Sequence, residues 1–134
     1  MILDVEHANA DLNCMAMALY AEAHTASDKS KEKIAQVILN RFRTGHFGKD
    51  ICNIVYSMDE KGRWQFNGVE DIVKGNHEYP TLEDMLKSKL IAHRVYFHKI
   101  PAPLPPHVLY FHDTSIKNPF KRKPYCKTDN LIFY

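Results

Sequence analysis

A proline-rich segment divides this chain into two parts that must fold differently. Residues 100–106 read Ile-Pro-Ala-Pro-Leu-Pro-Pro, and a helix cannot run through prolines at that density. Before the segment, apolar residues recur at spacings of three and four, which indicates amphipathic helices. After it, residues 108–112 and 131–134 are rich in β-branched and aromatic side chains, which favour strands. The sequence therefore predicts an α+β fold: a mainly helical domain with a small C-terminal β-hairpin.

The chain is long enough for one domain and for little more. Its 134 residues are 45% apolar and 25% charged, which is typical of a globular protein and excludes a disordered one. The longest unbroken apolar run covers residues 14–21, too few to cross a membrane. We therefore predict that residues 1–134 form a single domain without a membrane span.

Capping residues predict where the helices begin and end. The polar segment from Ser57 to Gly68 contains the single Trp and is predicted as a loop, either mobile or functional. Leu82, Leu86 and Leu90, and later Val95 and Phe97, continue the apolar pattern of the last helix up to the proline segment. The first predicted helix runs from Asn9 or Asp11 to about His24, and the second from Ser27 or Asp28 to Gly45. A short third helix begins at Asp50. The last begins at Thr81, where Asp84 completes a capping box, and runs towards the proline segment.

Glu22 lies where the helical pattern calls for an apolar residue. On a helix it falls within about 20° of Met15 and about 40° of Ala18, both on the apolar stripe. It also lies in the last turn, where unpaired carbonyl groups disfavour a carboxylate. Burial and the helix end should both raise the pKa of its carboxyl group. A carboxyl group that stays protonated near neutral pH is what a general acid must be.

Other interpretations of Glu22 stay open on these grounds. The side chain can reach outward into solvent, or pair with a Lys or Arg at the helix end. A glycosidase with two carboxylates would need a partner about 5 to 10 Å away. The candidates for that partner, none of them favoured by spacing, are Asp28, Asp59, Glu60, Glu70 and Asp71. The lack of an obvious partner favours chemistry that runs on a single acid.

Metal and nucleophile sites receive less support from the sequence. The eight histidines include no His-Glu-x-x-His motif, so we predict no metal site and no cofactor. The three cysteines are odd in number and form no Cys-x-x-Cys pair, so we predict reduced thiols rather than a disulfide. Cys126 alone has cationic neighbours, and a peptidase that acts through Cys126 is one hypothesis for function.

Positive charge is concentrated in the later part of the chain. Residues 1–28 contain no Lys or Arg and carry a charge of −5, whereas the rest carries +7. Between residues 117 and 127, basic side chains are interleaved with Phe120 and Tyr125 and no acid intervenes. This pattern is compatible with single-stranded nucleic acid, and equally with an anionic glycan-peptide polymer. A non-catalytic module that binds nucleic acid through this basic tail is therefore a second hypothesis.

Several segments together resemble the SleB-type cell-wall hydrolases, a family of spore-cortex-lytic enzymes and related phage and bacterial domains. Residues 19–23, Leu-Tyr-Ala-Glu-Ala, are similar to the family's helix that ends in an acidic residue followed by Ala. Residues 34–41, Ile-Ala-Gln-Val-Ile-Leu-Asn-Arg, are similar to its apolar helix that closes in Asn-Arg. Residues 65–66 are similar to the Gln-Phe that follows its variable loop. Weaker similarities are found at residues 45–56, 110–112 and 133–134.

The resemblance implies a lysozyme-like domain with a glycan groove and one catalytic glutamate, which falls on Glu22. It implies lytic transglycosylase chemistry on peptidoglycan, between N-acetylmuramic acid and N-acetylglucosamine; a muramidase that hydrolyses the same bond with water is the alternative. Glu22 would act as acid and then as base, which agrees with the lack of a second carboxylate. Gln65 and Tyr110 are predicted to hydrogen-bond the substrate, and Phe66 to contact a sugar face. The alternatives are a Gln that caps a loop, a Tyr that belongs to the hairpin and a Phe that packs in the core.

The chain departs from the family pattern at three places. His24 stands where Arg is usual, residues 107–109 replace a small Gly-Ala pair, and a His common near the last aromatic pair is missing. These changes concern the outer substrate contacts more than the acid itself. Asn40 and Arg41 are expected to fix a helix end and its neighbouring loop rather than touch glycan.

The start of the sequence bears on where the protein acts. No Lys or Arg precedes Lys29, so no secretory signal is predicted. We therefore expect a phage-lysin-like enzyme that accumulates in the cytoplasm before lysis and then acts on the bacterial cell wall. Its expected partners are peptidoglycan glycan strands, without a stable nucleic-acid partner, and the chain is expected to be a monomer.

Overall fold

Five helices and a small antiparallel sheet make up the structure, a computed structural model that describes residues 5–134. This architecture confirms the predicted α+β, mainly helical class. No helix within the described residues is long and apolar enough to span a membrane. In chain order the elements are α1 Val5–Ala23, α2 Asp28–Thr44, α3 Ile51–Val55, α4 Asn67–Val73, α5 Leu82–Tyr96, β1 Phe111–Asp113, β2 Cys126–Thr128 and β3 Leu131–Phe133.

Local sequence signals set the ends of α2 and α5 as predicted. The Ser27 side chain accepts a hydrogen bond from the Ser30 backbone N–H, which caps the start of α2. Gly45 closes the same helix with a φ of 73°, a left-handed conformation that costs glycine little. At the start of α5, Thr81 and Asp84 each accept a hydrogen bond from the other's backbone N–H, which completes the predicted capping box.

The first helix begins earlier than predicted, at Val5 instead of near Asn9 or Asp11. Both polar side chains bind α5 rather than capping α1. The Lys89 ammonium group donates to Asn9 Oδ1 at 2.6 Å, and the Tyr96 hydroxyl donates to Asp11 Oδ2 at 2.8 Å. A capping residue and a residue that bonds a neighbouring helix are indistinguishable in sequence, which explains the wrong boundary.

The core is built around α1, which contacts each of the other four helices. Its stripe residues Met15 and Leu19 are fully buried, as are Ile34 and Ile38 of α2. Burying an apolar side chain of this size contributes about 1.5–3 kcal/mol, so these four residues together make a large contribution to the stability of the domain. Because α1 is central, its last turn is held firmly in place by its neighbours.

The proline-rich segment is fastened to the helical body by a buried amide. The Asn40 side chain is 1% exposed, and its Nδ2 donates to the carbonyl groups of Pro105 and Val108 at 2.9 Å each. Leu104, within the proline segment, is also buried. Asn40 therefore fixes the loop that delivers the chain to the sheet, as expected from the sequence.

The C-terminal part forms a three-stranded sheet, not the two-stranded hairpin that was predicted. The strand order is β1-β3-β2 and both pairings are antiparallel, with Phe111 and Cys126 opposite Phe133 on either side. The missed strand, β2, reads Cys-Lys-Thr and lies in the basic tail, so neither composition nor alternation marked it. Asp129 turns the chain between β2 and β3 with a φ of 52°.

A disulfide joins Cys14 of α1 to Cys52 of α3, with their Cα atoms 5.2 Å apart. The prediction of reduced thiols was therefore wrong for these two residues, and only Cys126 is a free thiol. The error has a physical origin: sequence spacing does not show which faces of two helices will meet. Here α3 packs against α1, which brings the two side chains together.

The apolar pattern predicted for α5 is wrong at its three leucines and right at Val95, which is buried. Leu82, Leu86 and Leu90 are 78%, 57% and 57% exposed. The buried face instead carries Ser88, Ile91, Ala92 and Val95. Small side chains such as Ser88 and Ala92 let a neighbouring helix approach closely, and this packing outweighs the larger apolar area of the leucines. The three leucines form an exposed stripe, referred to below as the α5 leucine stripe.

Candidate active site

Glu22 lies in the last turn of α1, partly buried, in the wall between two neighbouring cavities. Asp113 and Leu131 line both cavities as well. A third cavity of about 410 Å³ shares Gln65 with the smaller of the two. We refer to the three together as the Glu22 groove. The smaller cavity, about 250 Å³, is lined by Glu22, Arg41, Gln65, Asn67, Phe111, His112, Asp113, Ile116 and Leu131, and the larger, about 320 Å³, by Glu22, Ala23, Thr25, Ala26, Ser27, Asp113, Asp129, Asn130 and Leu131.

The surroundings of Glu22 favour its protonated form. Burial raises the pKa of its carboxyl group from 4.5 to about 7, and the charge of Asp71 adds to the increase. A hydrogen bond from Gly68 and the charge of Arg41 act in the opposite direction. A carboxyl group with this pKa is about half protonated at neutral pH, so it can both give and take a proton. The direction agrees with the expectation drawn from its place on the helix.

Gly68 brings a backbone donor to Glu22. Its N–H, in the first turn of α4, donates to Glu22 Oε1 at 3.2 Å. A Cβ atom at this position would lie 2.4 Å from the carbonyl oxygen of Ala21. Only glycine therefore lets α4 begin this close to the end of α1.

Neither α4 nor the role of Gly68 was predicted, because Ser57–Gly68 was interpreted as a loop. The apolar residues Val69 and Ile72, three apart directly after Gly68, are the only sequence signal for this helix. A helix of seven residues presents too little of a repeating pattern to be recognised against the surrounding polar sequence.

Arg41 is buried beside Glu22. The residue is 4% exposed, and its Nε donates to the carbonyl oxygen of Leu109 at 2.8 Å. The guanidinium carbon lies 4.8 Å from the ring centre of Phe47, 5.2 Å from that of Phe66 and 5.6 Å from that of Tyr110. Its Nη1 atom is buried and has no hydrogen-bond partner in the described part of the chain. Arg41 thus holds a loop, as expected, but also faces the cavity that Glu22 lines.

The predicted substrate-binding residues lie at different depths. Gln65 lines both the smaller Glu22 cavity and the third cavity, so its side chain is available to a ligand. Tyr110 is partly buried and lies between the guanidinium groups of Arg41 and Arg122. Phe66 is 1% exposed and packs against Phe111 in the core, so its ring presents no face to a sugar. The structure brings Gln65 to Glu22 and places Phe66 beneath the groove.

Asp113 is the carboxylate that shares both cavities with Glu22, and it was not among the predicted partners. Its Oδ1 accepts a hydrogen bond from the Ser115 backbone N–H at 2.8 Å, which contributes to a pKa below the usual range. Of the predicted candidates, Asp59 and Glu60 line only the third cavity. Asp113 comes directly after the predicted strand at residues 108–112 and is the last residue of β1, but nothing in the sequence shows that this strand ends beside α1.

His112 shapes the floor of the smaller cavity. Its Nε2 lies 2.6 Å from the Tyr134 hydroxyl and its Nδ1 lies 2.7 Å from the Asp113 carbonyl oxygen. Because both ring nitrogens are engaged, the imidazole is held in place rather than available as a base. Within residues 5–134, no three His, Cys, Asp or Glu side chains are arranged to hold a metal ion.

Two other features compete with the Glu22 groove as functional sites. A larger cavity of about 480 Å³ lies between α1, α2 and α5, and Tyr20 and His24 line it, but Glu22 does not. The free thiol of Cys126 has the Lys33 ammonium group 3.7 Å away, and no histidine is in hydrogen-bond contact with it. Glu22 combines a groove with a carboxyl pKa raised to about 7, so we place the candidate active site there.

Comparison with known proteins identifies one family. The family model described as Cell Wall Hydrolase matches residues 25–134, which is most of the chain. The match begins just after Glu22, so the assignment of that residue depends on the geometry described above. No curated protein matches, and no solved structure matches.

Proposed function

Because the chain belongs to the cell wall hydrolase family, we propose that it cuts the glycan strand of peptidoglycan with Glu22 as the catalytic acid. Membership of the family makes the protein a cell wall hydrolase that acts on peptidoglycan. The choice of bond is our proposal: the link between N-acetylmuramic acid and N-acetylglucosamine. One observation supports Glu22 as the catalytic acid, namely that its carboxyl group has a pKa of about 7 and lies in the wall of a groove.

The proposed reaction is that of a lytic transglycosylase. Protonated Glu22 gives its proton to the glycosidic oxygen as the bond from this oxygen to C1 of the muramic acid breaks. The Glu22 carboxylate then takes the proton of the muramic C6 hydroxyl as that oxygen bonds to C1. The products are a 1,6-anhydro end and a free hydroxyl on N-acetylglucosamine, and no water is consumed. Glu22 ends the cycle protonated, as it began.

The Glu22 groove suits a polymer substrate. Its cavities follow one another, linked by shared wall residues, so a glycan strand has room on both sides of Glu22. Gln65 lies where two cavities meet and is the residue we propose to hydrogen-bond a sugar acetamido or hydroxyl group. Tyr110 does not line these cavities, and we propose that it acts by packing on Arg41.

A muramidase is the second candidate, and Asp113 favours it. Hydrolysis of a glycosidic bond commonly uses one protonated and one ionised carboxyl group. Environments that push two pKa values apart mark such a pair, and here the pKa of Glu22 is raised while that of Asp113 is lowered. In this mechanism Asp113 would activate water and the products would be reducing ends.

Digestion of purified murein sacculi, followed by mass spectrometry of the fragments, tests both proposals. Anhydro ends, lighter than reducing ends by one water, would support the transglycosylase, and reducing muramic ends would support the muramidase. Glu22→Gln should abolish turnover and leave the circular dichroism spectrum unchanged. Asp113→Asn should leave a transglycosylase active and inactivate a muramidase. Full activity in folded Glu22→Gln would overturn the assignment of the acid.

A further inference from the structure

Arg41 carries a buried donor that the fold itself does not use. Its Nη1 atom is the one buried side-chain nitrogen or oxygen without a hydrogen-bond partner in the described residues. Leaving a charged donor unpaired in the interior is costly, so such atoms are rare and call for an explanation. The residue lies in the wall of the smaller cavity, where Glu22 also lies. The unpaired donor of Arg41 therefore lies in a residue that lines the same cavity as Glu22, the proposed acid.

The guanidinium group of Arg41 is held in one position. Its Nε is committed to the Leu109 carbonyl, and rings of Phe47, Phe66 and Tyr110 surround it at 4.8 to 5.6 Å. Aromatic faces attract a guanidinium group and restrict its rotation. A charge fixed in this way needs no rearrangement when charge appears beside it, which is the condition for efficient electrostatic stabilisation.

Arg41 and Glu22 influence each other without forming an ion pair. Among the described residues, the hydrogen bond that Glu22 makes is the one from Gly68, and no ion pair includes it. The charge of Arg41 nevertheless lowers the pKa of Glu22, against the larger effect of burial. In the resting state Glu22 can therefore keep its proton with the cation nearby.

We propose that Arg41 is a positioning residue for Glu22. The fixed guanidinium group of Arg41 stabilises the carboxylate that Glu22 becomes after it protonates the glycosidic oxygen. This inference rests on the proposed function. A general acid buried without a nearby cation would hold its proton too tightly to release it during the reaction. Arg41 offsets this burial, so Glu22 can give up its proton and later recover one.

Other charged groups face Glu22 from the surrounding elements. Asp71 of α4 raises the pKa of Glu22 and so acts against Arg41. The titratable side chains that line the two Glu22 cavities from the sheet region are His112, Asp113 and Asp129. The Asp129 carboxylate is bound by the hydroxyl groups of Ser27 and Ser30. Burial lowers the pKa of Arg41 to about 10, so it is the cationic side chain at neutral pH among the described arginines and lysines that line these two cavities.

The test measures the pKa of Glu22 in the substrate-free protein by carboxyl NMR titration, with the signal identified by its loss in Glu22→Gln. Arg41→Gln should move this pKa above its native value of about 7 and lower kcat on sacculi by roughly 100-fold. The alkaline fall of the activity profile should move upward with the pKa. Arg43→Gln is the matched control: Arg43 is exposed on the same helix, so the same charge is lost without effect on Glu22.

The sign of the change separates an electrostatic role from a structural one. If Arg41 only supported the fold, its loss would admit water to the cavity and the pKa of Glu22 would fall. Arg41→Lys keeps the positive charge, so it replaces Arg41→Gln in the test if the Gln variant does not fold. Its Glu22 pKa should stay near the native value with activity partly restored, and a fall in that pKa would overturn the proposal.

Failure of the proposed function would look different. An active Glu22→Gln variant would remove the catalytic role of Glu22 whatever Arg41 does. An inactive Glu22→Gln, with an unchanged or lowered Glu22 pKa in Arg41→Gln, would reject the role of Arg41 alone.

Discussion

At the scale of single residues, the raised pKa of Glu22 links the stability of the protein to pH. The folded protein holds this proton up to a pH of about 7, whereas the unfolded chain releases it near 4.5. The favourable contribution of the protonated group is complete below pH 4.5 and is lost as the pH rises to about 7. Above that pH, the buried carboxylate destabilises the fold by about 3 kcal/mol relative to the protonated form.

Glu22→Gln should therefore stabilise the protein more at pH 8 than at pH 4. We expect the gain in the free energy of unfolding to be larger at pH 8 by up to about 3 kcal/mol, because glutamine never becomes charged. Urea unfolding at both pH values measures it. Glu60→Gln, at an exposed position, controls for the change of net charge. Equal gains for Glu22→Gln at the two pH values would show that Glu22 is not buried as described.

Gly68→Ala should damage both stability and catalysis. The new Cβ would lie 2.4 Å from a backbone oxygen of α1, so α4 must shift and the hydrogen bond to Glu22 is lost. Overpacking of this kind costs about 1–3 kcal/mol. Thermal unfolding and turnover on sacculi measure the two effects.

Gly75→Ala, just beyond α4, is the comparison variant for Gly68→Ala. The Cβ added at Gly75 would meet no atom within 4 Å, but the backbone there has a φ of 77°. The substitution should therefore lower the free energy of unfolding by about 1 kcal/mol and leave kcat unchanged. Native activity in Gly68→Ala would show that α4 can shift without disturbing Glu22.

At the scale of elements, the disulfide ties the central helix to α3. Closing a loop of this length restricts the unfolded chain, and a crosslink of this kind contributes about 2–4 kcal/mol. A double Cys14→Ala, Cys52→Ala variant should lose about this much stability and keep its activity, because neither residue lines the Glu22 groove. Chemical unfolding in the absence of reductant measures the loss. Cys126→Ala, which removes the free thiol, should have a smaller effect.

The α5 leucine stripe gives a second prediction at this scale. Leu86→Gln should change the free energy of unfolding by less than about 0.5 kcal/mol, because the side chain is 57% exposed. Ile91→Ala, on the buried face of the same helix, should cost about 2–5 kcal/mol. Thermal or urea unfolding of the two variants compares them directly. A large loss in Leu86→Gln would mean that the stripe is covered by a contact outside the described fold.

At the scale of the whole molecule, the sequence was most informative where the determinants are local. The caps at Ser27, Gly45 and Thr81 depend on residues within one turn, and these three helix ends were predicted correctly. The burial of Glu22 was also accessible, because it follows from the period of a single helix. These features need no knowledge of how distant segments meet.

Features that depend on distant contacts were not accessible in the same way. The Cys14–Cys52 bond and the placement of Asp113 beside Glu22 each join segments far apart in the chain. The free energy that selects them comes from packing between elements, which leaves little trace in local composition. The Leu82, Leu86 and Leu90 pattern was actively misleading, because two faces of α5 are apolar and only tertiary packing chooses between them.

The crosslink between Cys14 and Cys52 also bears on where the folded enzyme belongs. Glutathione and thioredoxin keep most cysteine thiols of the cytosol reduced, so a disulfide bond rarely persists there. We expect newly made chains to carry Cys14 and Cys52 as free sulfhydryls. The disulfide should form only in an oxidising environment, where an oxidant takes up the two hydrogens. With both cysteines reduced the protein would unfold more readily, so it should reach its full resistance to unfolding only where the crosslink can form.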